Sequence, residues 1–478
     1  MISHGARRVL LAAILVHAAG ATSMWGQPVA QRATAAAAMA ITHVGVVEVR
    51  AGRVVPNRTV FFADGHITAI RAALPADSAL RGAIDGRGRF LIPGLTDMHA
   101  HFDGPPALFV ANGITSVRKM MGFAADAQYR RDVAAGRILG PRLVQDGTPL
   151  LEGPHPIWDF GLQVESPTRG RTLVDSLHGA GYDFIKVYQS LPRETYLAIA
   201  AEARARRIPI AGHLPFEVGA EEASRVGQRS IEHLFGLGTE CSTRSAAVRR
   251  EIAKRFAAAT SENDRVQVML WNETLSAASY DSARCLAVGR TLARMGTWVV
   301  PTLVLNRGLA ASPDDREIRD DPRLQYTSPE FRRLGDAPWI GEYYRIAFER
   351  DLRLVRDLRA AGAGLLAGSD CGNPFVVCGF SLHDELALLV RAGLTTAEAL
   401  RAATSSPARF FGADSLGEIA PGKVADLVLL DGDPLADIRN VSRIRAVISA
   451  GRVYERSALD SILADVRRRV NLPPHAGS

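Results

Sequence analysis

The chain has 478 residues and is 47% hydrophobic, enough to bury a large core. Its 57 basic and 50 acidic residues give a net charge of +7. No long basic block occurs, and Arg467-Arg468-Arg469 reads as a solvated helix face, so nucleic acid is excluded as a partner. No apolar stretch in the body of the chain is long enough to span a membrane.

Residues 1–21 read as a signal peptide. Arg7-Arg8 precede an apolar run over 9–16, and small residues follow at Ala19-Gly20-Ala21. Export to the periplasm or the extracellular space is therefore expected, with no cysteine placed for a lipid anchor. Residues 22–39 form an Ala-rich linker. Residues 41–49, 54–62 and 66–70 then read as short strands separated by Gly or Asn turns, and 40–90 make the first part of a small β domain.

The run Leu91-Ile92-Pro93-Gly94-Leu95-Thr96-Asp97-Met98-His99-Ala100-His101 ends a strand on two histidines two residues apart. Alternate side chains of a strand share a face, so Asp97, His99 and His101 point the same way, and two such imidazoles suit a metal ion. Gly113-Ile114-Thr115-Ser116-Val117-Arg118 closes on an arginine that either clamps a substrate carboxylate or makes a structural ion pair. His155, in the turn-rich Gly153-Pro154-His155-Pro156-Ile157-Trp158, is either a substrate contact or a surface loop residue.

Asp183-Phe184-Ile185-Lys186-Val187-Tyr188 alternates so that Phe184, Lys186 and Tyr188 share one face. Tyr188 then points into the same cavity as Lys186, as a substrate contact or as a core tyrosine. Ile208-Pro209-Ile210-Ala211-Gly212-His213 and Ser230-Ile231-Glu232-His233 each end in a histidine, and Gly364-Leu365-Leu366-Ala367-Gly368-Ser369-Asp370 ends in an aspartate. Amphipathic segments such as 194–203 lie between these runs. Strands alternating with helices, with chemistry at strand C-termini, predict an α/β fold: a (β/α)8 TIM barrel over residues 91–411. A long excursion at 240–350 separates strands 6 and 8, and its polar, Pro-containing 312–338 part suits a lid. Residues 412–456 resume the short-strand pattern, and 457–478 form a C-terminal helix and tail.

Export makes Cys241, Cys285, Cys371 and Cys378 candidates for disulfides. Cys371 and Cys378 flank a short loop directly after Asp370, where a bridge stiffens one wall of the site. Cys241–Cys285 is the second pairing. No Cys-x-x-Cys spacing points to a zinc site.

The ordered set His99-x-His101, Phe184-Ile185-Lys186-Val187-Tyr188, Ala211-Gly212-His213, Ile231-Glu232-His233 and Asp370 resembles the amidohydrolase superfamily. The resemblance spans roughly residues 41–455 and points to the branch of prolidase-like and imidazolonepropionase-related enzymes. It implies that the two end segments, 40–90 and 412–456, form one β-sandwich. It further implies two divalent metal ions, zinc by default. His99 and His101 would hold the buried ion and His213 and His233 the exposed one. Lys186 would bridge both as N6-carboxylysine, made with carbon dioxide or bicarbonate, and Asp370 would bind the buried ion and act as general base and acid. A free ammonium has no lone pair to offer a cation, whereas a desolvated neutral amine adds carbon dioxide to become a carboxylate.

The implied reaction is hydrolysis of an amide-type C–N bond by a water shared between the metals, with a dipeptide or N-acyl amino acid as the small-molecule substrate. A lactone, a phosphotriester or a cyclic amide on the same centre stays open as an alternative. So does a non-catalytic binding barrel, against which the complete ligand set argues. A homo-oligomer is compatible with the sequence. Where related chains carry an acidic residue after the arginine, Lys119 stands here, so no role is carried over for that loop.

Overall fold

The computed structural model describes residues 39–102, 104–312, 314–328 and 338–471, with 338–342 described by backbone alone. The expected signal peptide, the linker up to residue 38, residues 329–337 of the expected lid and the tail from 472 lie outside the described residues. Among the described residues no helix is long and apolar enough to cross a membrane.

The two ends of the chain meet in one sheet. Its order is Arg452–Glu455, Ile444–Ser449, Leu427–Leu430, Phe90–Pro93, Met39–Glu48, Arg53–Ala63 and His66–Ala72, with Ile84–Asp85 also pairing with Met39–Glu48. Asp64 (φ 49°) and Gly65 (φ 78°) form the tight turn that pairs Ala63 with His66. Both turn positions need a left-handed backbone, which Asp-Gly tolerates. The sheet curls until His66 bridges Val424 and Ile67 N donates to Lys423 O at 2.8 Å. It encloses Ile41, Val44, Val60, Phe62, Leu91 and Leu427. The expected sandwich is therefore, in its hydrogen bonding, a single curled sheet, built from both ends as expected.

One boundary moves. Phe90–Pro93, expected to open the barrel, pairs instead with Met39–Glu48 and, antiparallel, with Leu427–Leu430. The apolar run continues unbroken across Gly94, so hydropathy hides the change of sheet. Gly94 makes the crossing possible, because a Cβ there would lie 2.1 Å from Thr115 Oγ1. The barrel strands therefore begin at Leu95.

They are β1 Leu95–Ala100, β2 Ile114–Lys119, β3 Arg142–Asp146, β4 Ile185–Val187, β5 Ile210–Gly212, β6 Gln228–Glu232, β7 Trp298–Val300 and β8 Gly364–Leu365. All neighbouring pairs are parallel, with β1 to β3 in one ladder and β4 to β8 in another, which also carries the short strands Leu151–Glu152 and Leu162–Gln163 beside β4. Isolated parallel bridges, Gly147 with Phe184 and Ala100 with Cys371, join the two pieces at both ends. Thr148 N donates to Phe184 O at 3.1 Å, and Met98 N to Ala367 O at 2.9 Å. The strands thus run round in a ring.

Alternation along β4 sorts its side chains. Ile185 and Val187 join the main core with Tyr196 and Ile199 of the following helix, Arg193–Arg206, while Phe184 packs inside with Met120 and Ala211. Met98, Trp298, Val300, Leu366 and Phe410 form a separate cluster. The excursion after β6 folds into the helices Ser245–Ala258, Glu262–Ala277 and Ser282–Met295, and the helix Pro338–Ala360 precedes β8. Ser261 and Asp264 form a capping box that starts Glu262–Ala277.

Candidate metal centre

The site is built where β1 meets the segment after β8. Asp97 is fully buried and accepts hydrogen bonds from His99 N (3.1 Å), Ser369 N (3.0 Å) and Ser369 Oγ. Asp370 N in turn donates to His99 O at 2.7 Å. One carboxylate therefore ties together the two segments that carry His99 and Asp370. Burial pushes the Asp97 carboxyl up to about 7, and its hydrogen bonds from Ser369 and His99 oppose that rise.

His99 Nε2 lies 3.2 Å, and His101 Nε2 3.0 Å, from the same oxygen, Asp370 Oδ1. His99 Nε2 and Asp370 Oδ1 are buried and have no hydrogen-bond partner. One ligand atom each from His99, His233 and Asp370 falls within a 4.8 Å group. Buried lone pairs left unpartnered side by side are costly unless a cation satisfies them, so these residues fit a metal ion. His213 stands beside this group, its ring 4.8 Å from that of His233.

Each of three histidines places Nδ1 on an oxygen: His99 on Glu232 Oε2 (2.9 Å), His213 on Gln189 Oε1 (3.2 Å) and His233 on Thr302 Oγ1 (2.8 Å). With Nδ1–H of His99 and His213 donating to their acceptor oxygens, Nε2 of each keeps its lone pair for a cation, while His233 Nδ1 also lies 3.7 Å from Asp370 Oδ2. Burial holds His99 down at about 4 and holds His213 and His233 well below the usual imidazole range, so all three are neutral near pH 7. Burial works against the charge on Asp370, but His99, His233 and His101 hold its carboxyl well below the usual range.

Alternation alone would turn His233 away from the face that Ser230 and Glu232 occupy. His233 instead has φ 59°, which lets it sit beside Glu232 on the same interior. Asp370 (φ 56°) and Thr302 (φ 47°) also adopt this rarely populated backbone. Strain of this kind persists only where the surroundings enforce it, and three such residues, His233, Thr302 and Asp370, stand at the centre.

Lys186 is buried on β4, its backbone N donating to Thr148 Oγ1 at 2.9 Å. Burial lowers its ammonium to about 8, against the pull of Glu232 and Asp370. Arg118 lies beneath the histidines, not at the mouth. Its Nη1 donates to Ser230 Oγ (3.0 Å) and Glu232 Oε1 (3.2 Å), and its guanidinium sits between the rings of Phe184 (4.5 Å) and Phe410 (4.9 Å). Of its two sequence readings, the structure forms the ion pair, with Glu232, and the guanidinium is buried. Glu232 is buried too, which opposes its charge, yet Arg118, His99 and Lys186 hold it ionised.

Tyr188 packs its ring 4.0 Å from that of His213, and its Oη accepts from Trp158 Nε1 at 2.8 Å. His155 is exposed in the loop after β3, outside the cluster. Cys371 is bonded to Cys378 and Cys241 to Cys285. Sequence reasoning assigned no role to Glu232, Gln189 or Thr302. Glu232 had a signal, an acid within an apolar strand beside a histidine. Thr302 had none, because its partner lies 69 residues away.

Fold and site together define a class: an α/β barrel whose strand ends hold a buried histidine–aspartate group suited to a metal ion. A family model of the amidohydrolase family matches residues 90–454, and the chain belongs to that family. Among solved structures it is similar to a bottromycin amidohydrolase, at 26% identity and TM-score 0.72, covering 92% of each chain. It is also similar to a putative prolidase from Bifidobacterium longum, at 23% identity and TM-score 0.64, covering 91% of this chain and 100% of that one. An Xaa-Pro dipeptidase with bound methionine follows at 18% identity and TM-score 0.63, covering 88% and 100%. No curated protein sequence matches significantly.

Proposed function

We propose that this protein is an exported hydrolase of an amide-type C–N bond, acting on a dipeptide or N-acyl amino acid and working with two divalent metal ions. The observation that carries the reading is the convergence of His99, His101 and His233 on Asp370, with His99 Nε2 and Asp370 Oδ1 buried and unpartnered. His99 and His101 would hold one ion with Asp370, His213 and His233 the other, and Lys186 as N6-carboxylysine would span both. Zinc suits this mixed imidazole and carboxylate set. Bound there, the ions would lower the pKa of a water and polarise the scissile carbonyl.

The chain's own residues supply the proton path. The ionised Asp370 takes a proton from the attacking water as the C–O bond forms. It gives that proton to the amide nitrogen as the C–N bond breaks, releasing an acid and an amine. Glu232, Gln189 and Thr302 keep the histidines in one tautomer and orientation throughout. The two disulfides suit the oxidising compartment that export implies.

The test is metal content per chain, on protein expressed with zinc and bicarbonate and purified without chelator. About two per chain, with turnover of dipeptides or N-acyl amino acids, supports the reading. One per chain moves it to a mononuclear cyclic-amide hydrolase, and none after reconstitution removes catalysis. Lys186→Ala is expected to lose at least one metal, with activity partly restored by added short carboxylic acids. Full metal content and activity in that variant would remove the carbamate.

A further inference from the structure

The loops at the C-terminal ends of the barrel strands deliver apolar side chains to one place. Met121 follows β2, Ile157 follows β3, Tyr188 follows β4 and Phe216 follows β5; Leu270 comes from the helix Glu262–Ala277, and Leu309 follows β7. With Tyr344 they belong to a single apolar cluster. It reaches the candidate centre through Tyr188, whose ring lies 4.0 Å from that of His213. The helix Glu262–Ala277 is patterned for this position. Val266, Met269 and Leu270, at i, i+3 and i+4, face the cluster, while Val268 packs with Val248 and Ile252 of the preceding helix.

This cluster is not a sealed core, because Met121, Phe216 and Leu309 remain only partly buried. The neighbouring guanidiniums are already paired: Arg265 with Asp159 at 3.1 Å, and Arg350 with Glu273 at 2.7 Å and Asp351 at 2.8 Å. Apolar walls around paired charges reward burial of an apolar ligand group and penalise a charged one.

We propose that this apolar ring over the barrel mouth selects substrates carrying a bulky apolar group, aromatic or branched aliphatic, next to the scissile amide. The inference rests on the amide-hydrolase reading and deepens it. It is tested on the zinc-loaded full chain by calorimetric titration with acetohydroxamate and 3-phenylpropanohydroxamate, which share a chelating head and differ in the apolar tail. The phenyl compound is expected to bind about tenfold tighter or more, the scale of burying one aromatic group. Leu270→Asn, and separately the partly buried Met121→Gln should Leu270→Asn fail to fold, are expected to shrink that ratio.

Equal affinities, or no binding of either compound, would overturn the ring. A parallel comparison of N-acetylphenylalanine with N-acetylaspartate separates the two readings. Turnover of both at equal kcat/KM also removes the ring. No turnover of either, with the hydroxamate preference intact, removes the hydrolase and keeps the ring.

Discussion

Glu232 sits where three demands meet: it orients His99, neutralises Arg118 and lies beside Lys186 in a fully buried interior. Glu232→Gln keeps the shape and removes the charge. Metal affinity is expected to fall about 10–100-fold. Stability should fall by about 3–5 kcal/mol, because Arg118 is left buried without its counter-charge. Metal titration and thermal unfolding of the same preparation read both. Asp370→Asn asks a different question, since an amide ligates weakly and cannot take a proton. It is expected to keep part of the metal while kcat drops by about two to four orders of magnitude. Near-normal kcat would remove Asp370 from the proton path. The candidate histidine and aspartate ligands were legible in the sequence because they come at the ends of apolar strand runs, and Lys186 because it alternates within one. Their supports were not: Arg118 and Glu232 are 114 residues apart, and no local pattern announces that contact.

At the scale of elements, strand periodicity placed Lys186 inward and Ile185 and Val187 outward, as the structure has them. It failed where the backbone leaves the extended region. His233 and Asp370 reach the interior through left-handed φ values that period-two reasoning cannot anticipate. It failed again at Phe90–Pro93, where one apolar run serves two sheets. Glycines mark the close approaches that make these turns work. A Cβ on Gly368 would lie 2.6 Å from Val300 Cγ1 and 2.8 Å from His99 Cβ and N, which leaves no flexible group to give way. Gly368→Ala is therefore expected to cost about 1–3 kcal/mol and to reduce metal content by displacing His99. Gly179→Ala is the control. It ends the helix Pro167–Gly179 with nothing within 4 Å, so it should leave metal untouched and raise stability by about 0.5 kcal/mol.

At the scale of the molecule, two disulfides act on different quantities. Cys241–Cys285 spans 44 residues and links the C-cap of the short helix Leu237–Glu240 to the helix Ser282–Met295. Cys371–Cys378 spans 7 residues, starts one residue after Asp370, and brings both sulfurs to 3.1 and 3.2 Å from the His101 carbonyl oxygen. Chain entropy makes the longer loop the larger stabiliser, about 4 kcal/mol against about 2.5 kcal/mol. Position makes the shorter one the guardian of the site, because it fixes the loop between Asp370 and the strand end carrying His101. Replacing Cys241 and Cys285 by serine should lower Tm more, with metal content per folded chain unchanged. Replacing Cys371 and Cys378 should lower Tm less and lose more metal. Paired thermal unfolding and metal analysis distinguish the two. If both variants lose stability and metal in proportion, the bridges serve the fold alone, and Asp370 is held in place by the hydrogen bonds of Ser369 to Asp97 and of its own N–H to the His99 carbonyl.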